Sequence, residues 1–192
     1  ASDGTLAYLS GPLVPKRELA WATAAGTVET INAQPVSYRD LALSPDGRYL
    51  AVTRAEGGTT GAYVRDIARQ TEQKVPATGS SFGPVWSSTG DVLLFTAMRA
   101  GHFDVFLMRP DDGVVRPVIE AAFDQEVLAV THDGQRIVLS DYLGDGTTVL
   151  SVAEIGRPTE RRPLPSVDGD PDGARISADD RWLAIEVDVG GR

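Results

Sequence analysis

A short turn cassette recurs along this chain at a nearly constant interval, and that spacing limits the fold more than any other feature. In Leu41-Ala42-Leu43-Ser44-Pro45-Asp46-Gly47-Arg48-Tyr49-Leu50-Ala51-Val52-Thr53, residues of alternating polarity flank Pro-Asp-Gly, where Pro45 and Gly47 supply turn geometry. The pattern returns at Val85 to Phe95, at Leu128 to Leu139 and at Ala174 to Ile185, with half a copy at Asp3 to Leu9. Turn positions 4, 47, 90, 134 and 180 are separated by 43, 43, 44 and 46 residues. An internal repeat of that length belongs to a propeller, a solenoid or an array.

Each repeat reads as four short strands, a to d, with the recurrent turn joining a to b. The expected first unit has b at 4–10, c at 17–23 and d at 27–31. The next three units place a at 41–44, 84–87 and 128–131, b at 48–53, 91–96 and 135–140, c at 62–66, 103–108 and 147–152, and d at 72–75, 114–119 and 159–164. The last unit holds a at 174–177 and b at 181–187. No helical period of useful length interrupts them.

Four antiparallel strands in 40 to 45 residues is the arithmetic of a β-propeller blade. The expected fold is therefore all-β: a propeller of four-stranded blades, about four of them, with incomplete blades at the two ends. Residues 1–192 read as one propeller domain or a fragment of one, with repeats near 4–40, 41–83, 84–127, 128–173 and 174–192. Strand a should line the central channel. Strand d, carrying Glu72, Lys74, Glu160 and Arg162, should be the outer edge, where charge discourages pairing with other chains. Four periods fit between Gly4 and Asp180, and the open first and last blades would leave exposed edges and apolar faces, so association with a second copy or completion by further blades is expected.

Composition narrows the function. A formal net charge of -9 argues against nucleic acid or an anionic membrane surface, both of which call for a cationic patch. There is no cysteine, hence no disulfide and no thiolate metal site. No apolar run is long enough to span a bilayer, and Ala1-Ser2-Asp3-Gly4 has no signal-peptide character, so the expectation is a mature soluble chain or a fragment of one.

The residues carrying the repeat also carry a resemblance. Ser44-Pro45-Asp46-Gly47-Arg48-Tyr49-Leu50-Ala51, Pro84-Val85-Trp86-Ser87 and Ser177-Ala178-Asp179-Asp180-Arg181-Trp182-Leu183-Ala184 resemble the TolB-like, WD-repeat-like bacterial propeller family. Gly4-Thr5-Leu6-Ala7-Tyr8, Arg17-Glu18-Leu19-Ala20-Trp21 and Tyr38-Arg39-Asp40 are similar to propeller domains found C-terminal to bacterial serine/threonine kinases. The resemblance implies a sensor, scaffold or partner-binding module, in an extracytoplasmic or periplasmic setting.

Several motifs invite a chemical reading, and each has a plain structural one beside it. Gly79-Ser80-Ser81-Phe82-Gly83 matches the nucleophile-elbow pattern G-x-S-x-G, which works only where a strand meets a helix N-terminus. In an all-β unit it reads as a crossover loop of small residues. Asp168-Gly169-Asp170-Pro171-Asp172-Gly173 matches the start of a calcium loop with Asp179 at the twelfth position, but Pro171 stiffens it and Asp179 is committed to its own turn. An acidic crossover is the reading preferred. His102 and His132 fall in loops on opposite faces and should not share a metal. Asp111-Asp112, bracketed by Pro110 and Gly113, is turn chemistry. Trp21, Trp86 and Trp182 lie within the repeat and read as core or inter-blade packing. No catalytic residue, cofactor or metal is expected.

The surface left for recognition is one rim, where the d-to-a and b-to-c loops meet. It includes Tyr38, Arg39, Asp40, Phe82, His102, Phe103, Asp124, Gln125, Glu126 and Tyr142. The expected function is non-catalytic recognition of a protein or peptide. The alternative is the substrate-gating propeller of a prolyl-oligopeptidase-like hydrolase whose catalytic domain lies outside this chain.

Overall fold

The computed structural model describes residues 16–31, 35–56, 58–165 and 169–189, and among them there is no helix. The half copy at Asp3 to Leu9 and the strand expected at 4–10 lie outside the described residues. The described residues form sixteen strands, four blades' worth. A two-stranded sheet of β1 (Ala20–Ala22) and β2 (Val28–Thr30) comes first. The first full blade is β3 (Tyr38–Leu43), β4 (Tyr49–Glu56), β5 (Thr59–Asp66) and β6 (Thr71–Lys74). The second is β7 (Ser81–Trp86), β8 (Leu93–Arg99), β9 (His102–Met108) and β10 (Val115–Ile119). The third is β11 (Asp124–Val130), β12 (Arg136–Tyr142), β13 (Thr148–Glu154) and β14 (Arg157–Pro163). A two-stranded sheet of β15 (Asp170–Ile176) and β16 (Leu183–Asp188) follows.

Within each full blade consecutive strands pair antiparallel, and the innermost strands β3, β7, β11 and β15 touch one another in succession. That is the radial arrangement of a β-propeller. The outer strand β6 is exposed along its length, as its charged sequence led us to expect.

The core lies between sheets. Leu93 and Phe95 of β8 pack with Tyr49, Ala51 and Val64 of the first blade, whereas Leu94, between them in sequence, packs with Val127, Ile137 and Leu139 of the third. A blade strand buries both faces, so its apolar residues run consecutively where a half-exposed strand would alternate. Leu50 and Val52 pack back onto Leu19 and Ile31, and Val138 and Leu150 pack forward onto Ala174, Leu183 and Ile185. Trp86 is buried between the first and second blades as expected, but Trp182 is 72% exposed. It occupies the repeat position of buried Tyr49, and among the described residues no sheet follows β16 to cover it.

The recurrent turns are tied by one device. Ser44 Oγ donates to Asp46 Oδ1 at 2.6 Å, Asp46 Oδ1 accepts the Arg48 N–H at 3.0 Å, and Ser44 Oγ accepts the Tyr49 N–H at 2.8 Å. Thr131 with Asp133 and Ser177 with Asp179 repeat the same set. In the second blade Thr89 stands where Asp46 does and hands the role to Asp91, which accepts from both Ser87 Oγ and Thr89 Oγ1. Neighbouring turns also meet. Gly90, at φ +77°, lies so near Asp46 that a Cβ there would fall 2.9 Å from Oδ1. Ser88 Oγ donates to the His132 carbonyl, and the His132 N–H donates to Asp180 Oδ1 at 2.9 Å.

The structure corrects the start of every full a strand. They begin at 38, 81, 124 and 170, three or four residues earlier than expected. Each carries a register shift, between Tyr38 and Leu41, Phe82 and Val85, Val127 and Ala129, and Pro171 and Gly173. A bulge puts the upstream residues out of phase with the downstream alternation, which makes them read as loop.

Candidate functional site

The bulges decide where the rim residues sit. Residues 38–40, 82 and 124–126 open the inner strands, Tyr142 closes β12, and His102 and Phe103 open β9. These are strand ends, not loops. In an antiparallel blade the start of a, the end of b and the start of c share one end, as the pairings Asp124 with Tyr142 and Arg99 with His102 demonstrate.

Two cavities open at this end. The larger, about 760 Å³, lies across the inner strands and is lined by Arg39, Asp40, Phe82, Glu126, Arg175 and Glu186 among others. It offers cations, carboxylates and an aromatic ring together. Arg39 Nη1 donates to Thr60 Oγ1 at 3.3 Å, and the Asp40 N–H donates to Thr53 Oγ1 at 3.0 Å while that hydroxyl returns a bond to the carboxylate. Gly83, at φ +60°, lets the β7 backbone pass close to Glu126 Oε1.

The smaller cavity, about 250 Å³, is lined by Phe82, Phe103, Asp124, Gln125, Glu126 and Tyr142. The two phenylalanine rings meet edge to face, 5.1 Å between centroids at 71°. Asp124 Oδ1 accepts the Phe103 N–H at 2.8 Å across the blade boundary and lies 4.0 Å from His102 Nδ1. Tyr142 donates its hydroxyl to Glu126 Oε2 at 3.2 Å, and burial, with the Glu126 charge next in weight, pushes its pKa up to about 12. The phenol therefore keeps its proton, and its hydrogen bond to Glu126, well into alkaline pH.

Two of the ten rim residues expected from sequence are buried. Tyr38 is 3% exposed, in the core against Leu19 and Leu50, and supports the rim from beneath. Gln125 has no exposure, and its Nε2 donates to Asp141 Oδ1 at 3.1 Å. Both face inward because strand alternation sends neighbours to opposite sides, an effect invisible while these residues read as loop. Arg175 and Glu186 went unrecognised. They lie within the strands expected at 174–177 and 181–187, which read as scaffold and not as part of the rim.

The other candidates resolve into architecture. Ser81 begins β7, is buried, and its Oγ accepts the Ala62 N–H at 2.8 Å, so it is neither exposed nor at a helix start. Asp111 accepts from Tyr49 Oη and Arg48 Nη2, both at 2.8 Å, and Asp112 Oδ1 accepts the Val114 N–H. Asp179 is held in its own turn by Ser177, whose hydroxyl is the main reason its pKa lies below the usual range. Asp170 Oδ1 accepts from Thr148 Oγ1, while Asp168 and the side chain of Asp172 lie outside the described residues. Among the described residues no three His, Asp or Glu side chains are grouped to hold a metal.

No family model matches the chain. A stretch of 89 residues is 32% identical to the protein TolB homolog of Chlorobaculum tepidum, covering 46% of this chain and 20% of that protein. Another of 77 residues is 38% identical to the protein TolB homolog of Chlorobium luteolum, covering 40% of this chain and 17% of that protein. The matches thus span a fifth or less of these curated relatives. Among solved structures, TolB from Acinetobacter baumannii is similar with a TM-score of 0.77 at 22% identity, over 98% of this chain and 48% of that one. A prolyl endopeptidase (TM-score 0.62, 15% identity, 88% of this chain and 29% of that one) and an oligogalacturonate lyase (0.70, 14%, 93% and 53%) share the blade architecture. At such identities the likeness is one of fold, and in fold this chain is a TolB-like β-propeller.

Proposed function

We propose that this TolB-like propeller is a non-catalytic module that recognises a protein or peptide through the rim where its inner strands begin. The observation that carries the reading is the larger cavity, where Arg39, Arg175, Asp40, Glu126 and Glu186 set charges of both signs around Phe82. Mixed charge beside an aromatic ring on rigid strand ends suits a polypeptide, whose backbone and side chains need donors, acceptors and apolar contact together. The candidate nucleophile Ser81 is engaged in bridging β5 and β7, which removes the one motif that pointed to hydrolysis. The fold likeness to prolyl endopeptidase is equally served by recognition, and nothing observed at the rim favours substrate gating.

The test is affinity capture from bacterial extract with the immobilised chain and a variant carrying Arg39→Ala, Glu126→Ala and Arg175→Ala, with circular dichroism verifying the fold of both. Partners held by the wild type and lost by the variant support the rim. An identical set held by both overturns it. Turnover of a peptide or oligosaccharide substrate by the purified chain would overturn the non-catalytic part.

A further inference from the structure

The two guanidiniums of the larger cavity are exposed and largely unspent. Arg39 makes one long bond, to Thr60 Oγ1 at 3.3 Å, and Arg175 makes one, from Nη1 to the adjacent Ala174 carbonyl at 2.8 Å. A guanidinium carries five N–H donors, so most of the capacity of both is left over. Among the described residues neither is ion-paired, whereas Arg48, Arg54, Arg69 and Arg161 each hold a carboxylate elsewhere in the chain. The carboxylates of the same cavity do not take up that capacity. Asp40 accepts the Thr53 hydroxyl and Glu126 the Tyr142 hydroxyl, and Glu186 lies diagonally across the β15–β16 ladder from Arg175 with no ion pair between them. Nor does the repeat ask for Arg175. Two residues before the turn hydroxyl the three full blades carry Ala42, Val85 and Ala129, which pack into the core between blades.

We infer that this cavity takes a carboxylate of the partner polypeptide, held by the free N–H groups of Arg39 and Arg175. The inference rests on the recognition reading and names one group of what is recognised. A planar guanidinium matches a carboxylate through two parallel N–H···O bonds, and both arginines have the donors for it. Phe82, in the same wall, gives the residue that bears the carboxylate an apolar neighbour. Asp40, Glu126 and Glu186 set the limit on charge. They repel a polyanion, so one carboxylate placed at a guanidinium is favoured over a phosphate dianion. An aspartate or glutamate side chain and a free C-terminus offer the same group, and separate probes distinguish them.

The experiment is a titration of the intact chain, followed by NMR of the Arg39 and Arg175 Nε–H groups and the Phe82 ring. The probes are Nα-acetyl-aspartate methylamide, its asparagine counterpart of the same shape without the charge, acetylglycine with a free terminal carboxylate, and inorganic phosphate. The expected result is saturable shifts with the aspartate probe or with acetylglycine, and binding weaker by roughly tenfold with asparagine. Whichever carboxylate binds more tightly identifies its source as side chain or chain end. Arg39→Gln and Arg175→Gln should each weaken that probe several-fold while leaving the circular dichroism spectrum unchanged. Asparagine bound as well as the carboxylates, phosphate bound more tightly than either, or no response up to the solubility limit overturns the inference. The two readings fail separately. Rim-dependent capture with no carboxylate preference sinks the arginine site alone, and a carboxylate-selective cavity on a chain that captures no partner sinks the recognition reading alone.

Discussion

Tyr49 and Trp86 stack across the boundary between the first two blades, their rings 5.8 Å apart and inclined by only 15°. Each ring also spends its polar atom on the other's blade: Trp86 Nε1 donates to the Ala42 carbonyl at 2.9 Å, and Tyr49 Oη donates to Asp111 Oδ1 at 2.8 Å. Aromatic burial and directional bonding thus act together on one interface. Trp86→Ala should destabilise the chain by about 3–5 kcal/mol, through lost contact and the cavity left behind. Trp86→Phe should cost less, because most of the ring is retained. Urea denaturation at unchanged slope would measure both, and equal losses would show that the ring contributes nothing beyond its hydrogen bond.

Behind the smaller cavity, Asp141 gathers Gln125 Nε2, Ser151 Oγ and Arg161 Nη1 with its side chain 6% exposed. Removing the cation strands a buried charge. Arg161→Leu should cost about 3 kcal/mol, and adding Asp141→Asn should recover part of that loss. If the double variant is as unstable as the single effects summed, the pair is not coupled.

Acid should loosen the turns. Hydrogen bonds hold the pKa values of Asp91, Asp133, Asp179 and Asp180 below the usual 3.8: from Thr89 for Asp91, Thr131 for Asp133, Ser177 for Asp179 and the His132 backbone for Asp180. Each carboxyl binds its proton less readily folded than unfolded. Its stabilisation is therefore complete above pH 3.8 and lost as pH falls through the lower folded value. The urea midpoint should decline on acidification below that point, and Asp179→Asn should shallow the decline. A midpoint flat through the carboxylate range would refute this.

Alkali acts through the opposite sign. Burial chiefly, and then the Asp111 hydrogen bond for Tyr49 and the Glu126 charge for Tyr142, raise both phenols from 10.0 to about 12. The folded chain keeps protons that the unfolded chain would release, so stability present below pH 10 drains away between 10 and about 12. Tyrosinate absorbance should show a late component that Tyr49→Phe and Tyr142→Phe each reduce.

The repeat made the blades legible because its Ser/Thr-to-Asp spacing and flanking apolar runs are local, and local chemistry can be read residue by residue. The inner strand starts were not legible. A bulge is a property of two paired strands, and nothing within Tyr38 to Leu41 alone announces that Asp40 will sit over Thr53. For the same reason the sequence places these segments at one end of the sheets but does not reveal that Tyr38 and Gln125 turn inward. Trp182 shows the other limit: its sequence position matches that of Tyr49, but burial depends on what lies against it.

The turn device asks only for a hydroxyl, a carboxylate acceptor two residues later, or four in the second blade, and the chain's own N–H groups. The residue directly after the hydroxyl gives no side-chain hydrogen bond to that network, and Pro45, Ser88, His132 and Ala178 fill the slot in turn. Two of them, Ser88 and His132, use this freedom to grip the neighbouring turn. One slot per hairpin thus governs how firmly adjacent blades are latched, and exchanging its occupant offers a way to tighten or slacken a single blade junction without disturbing the hairpin that carries it.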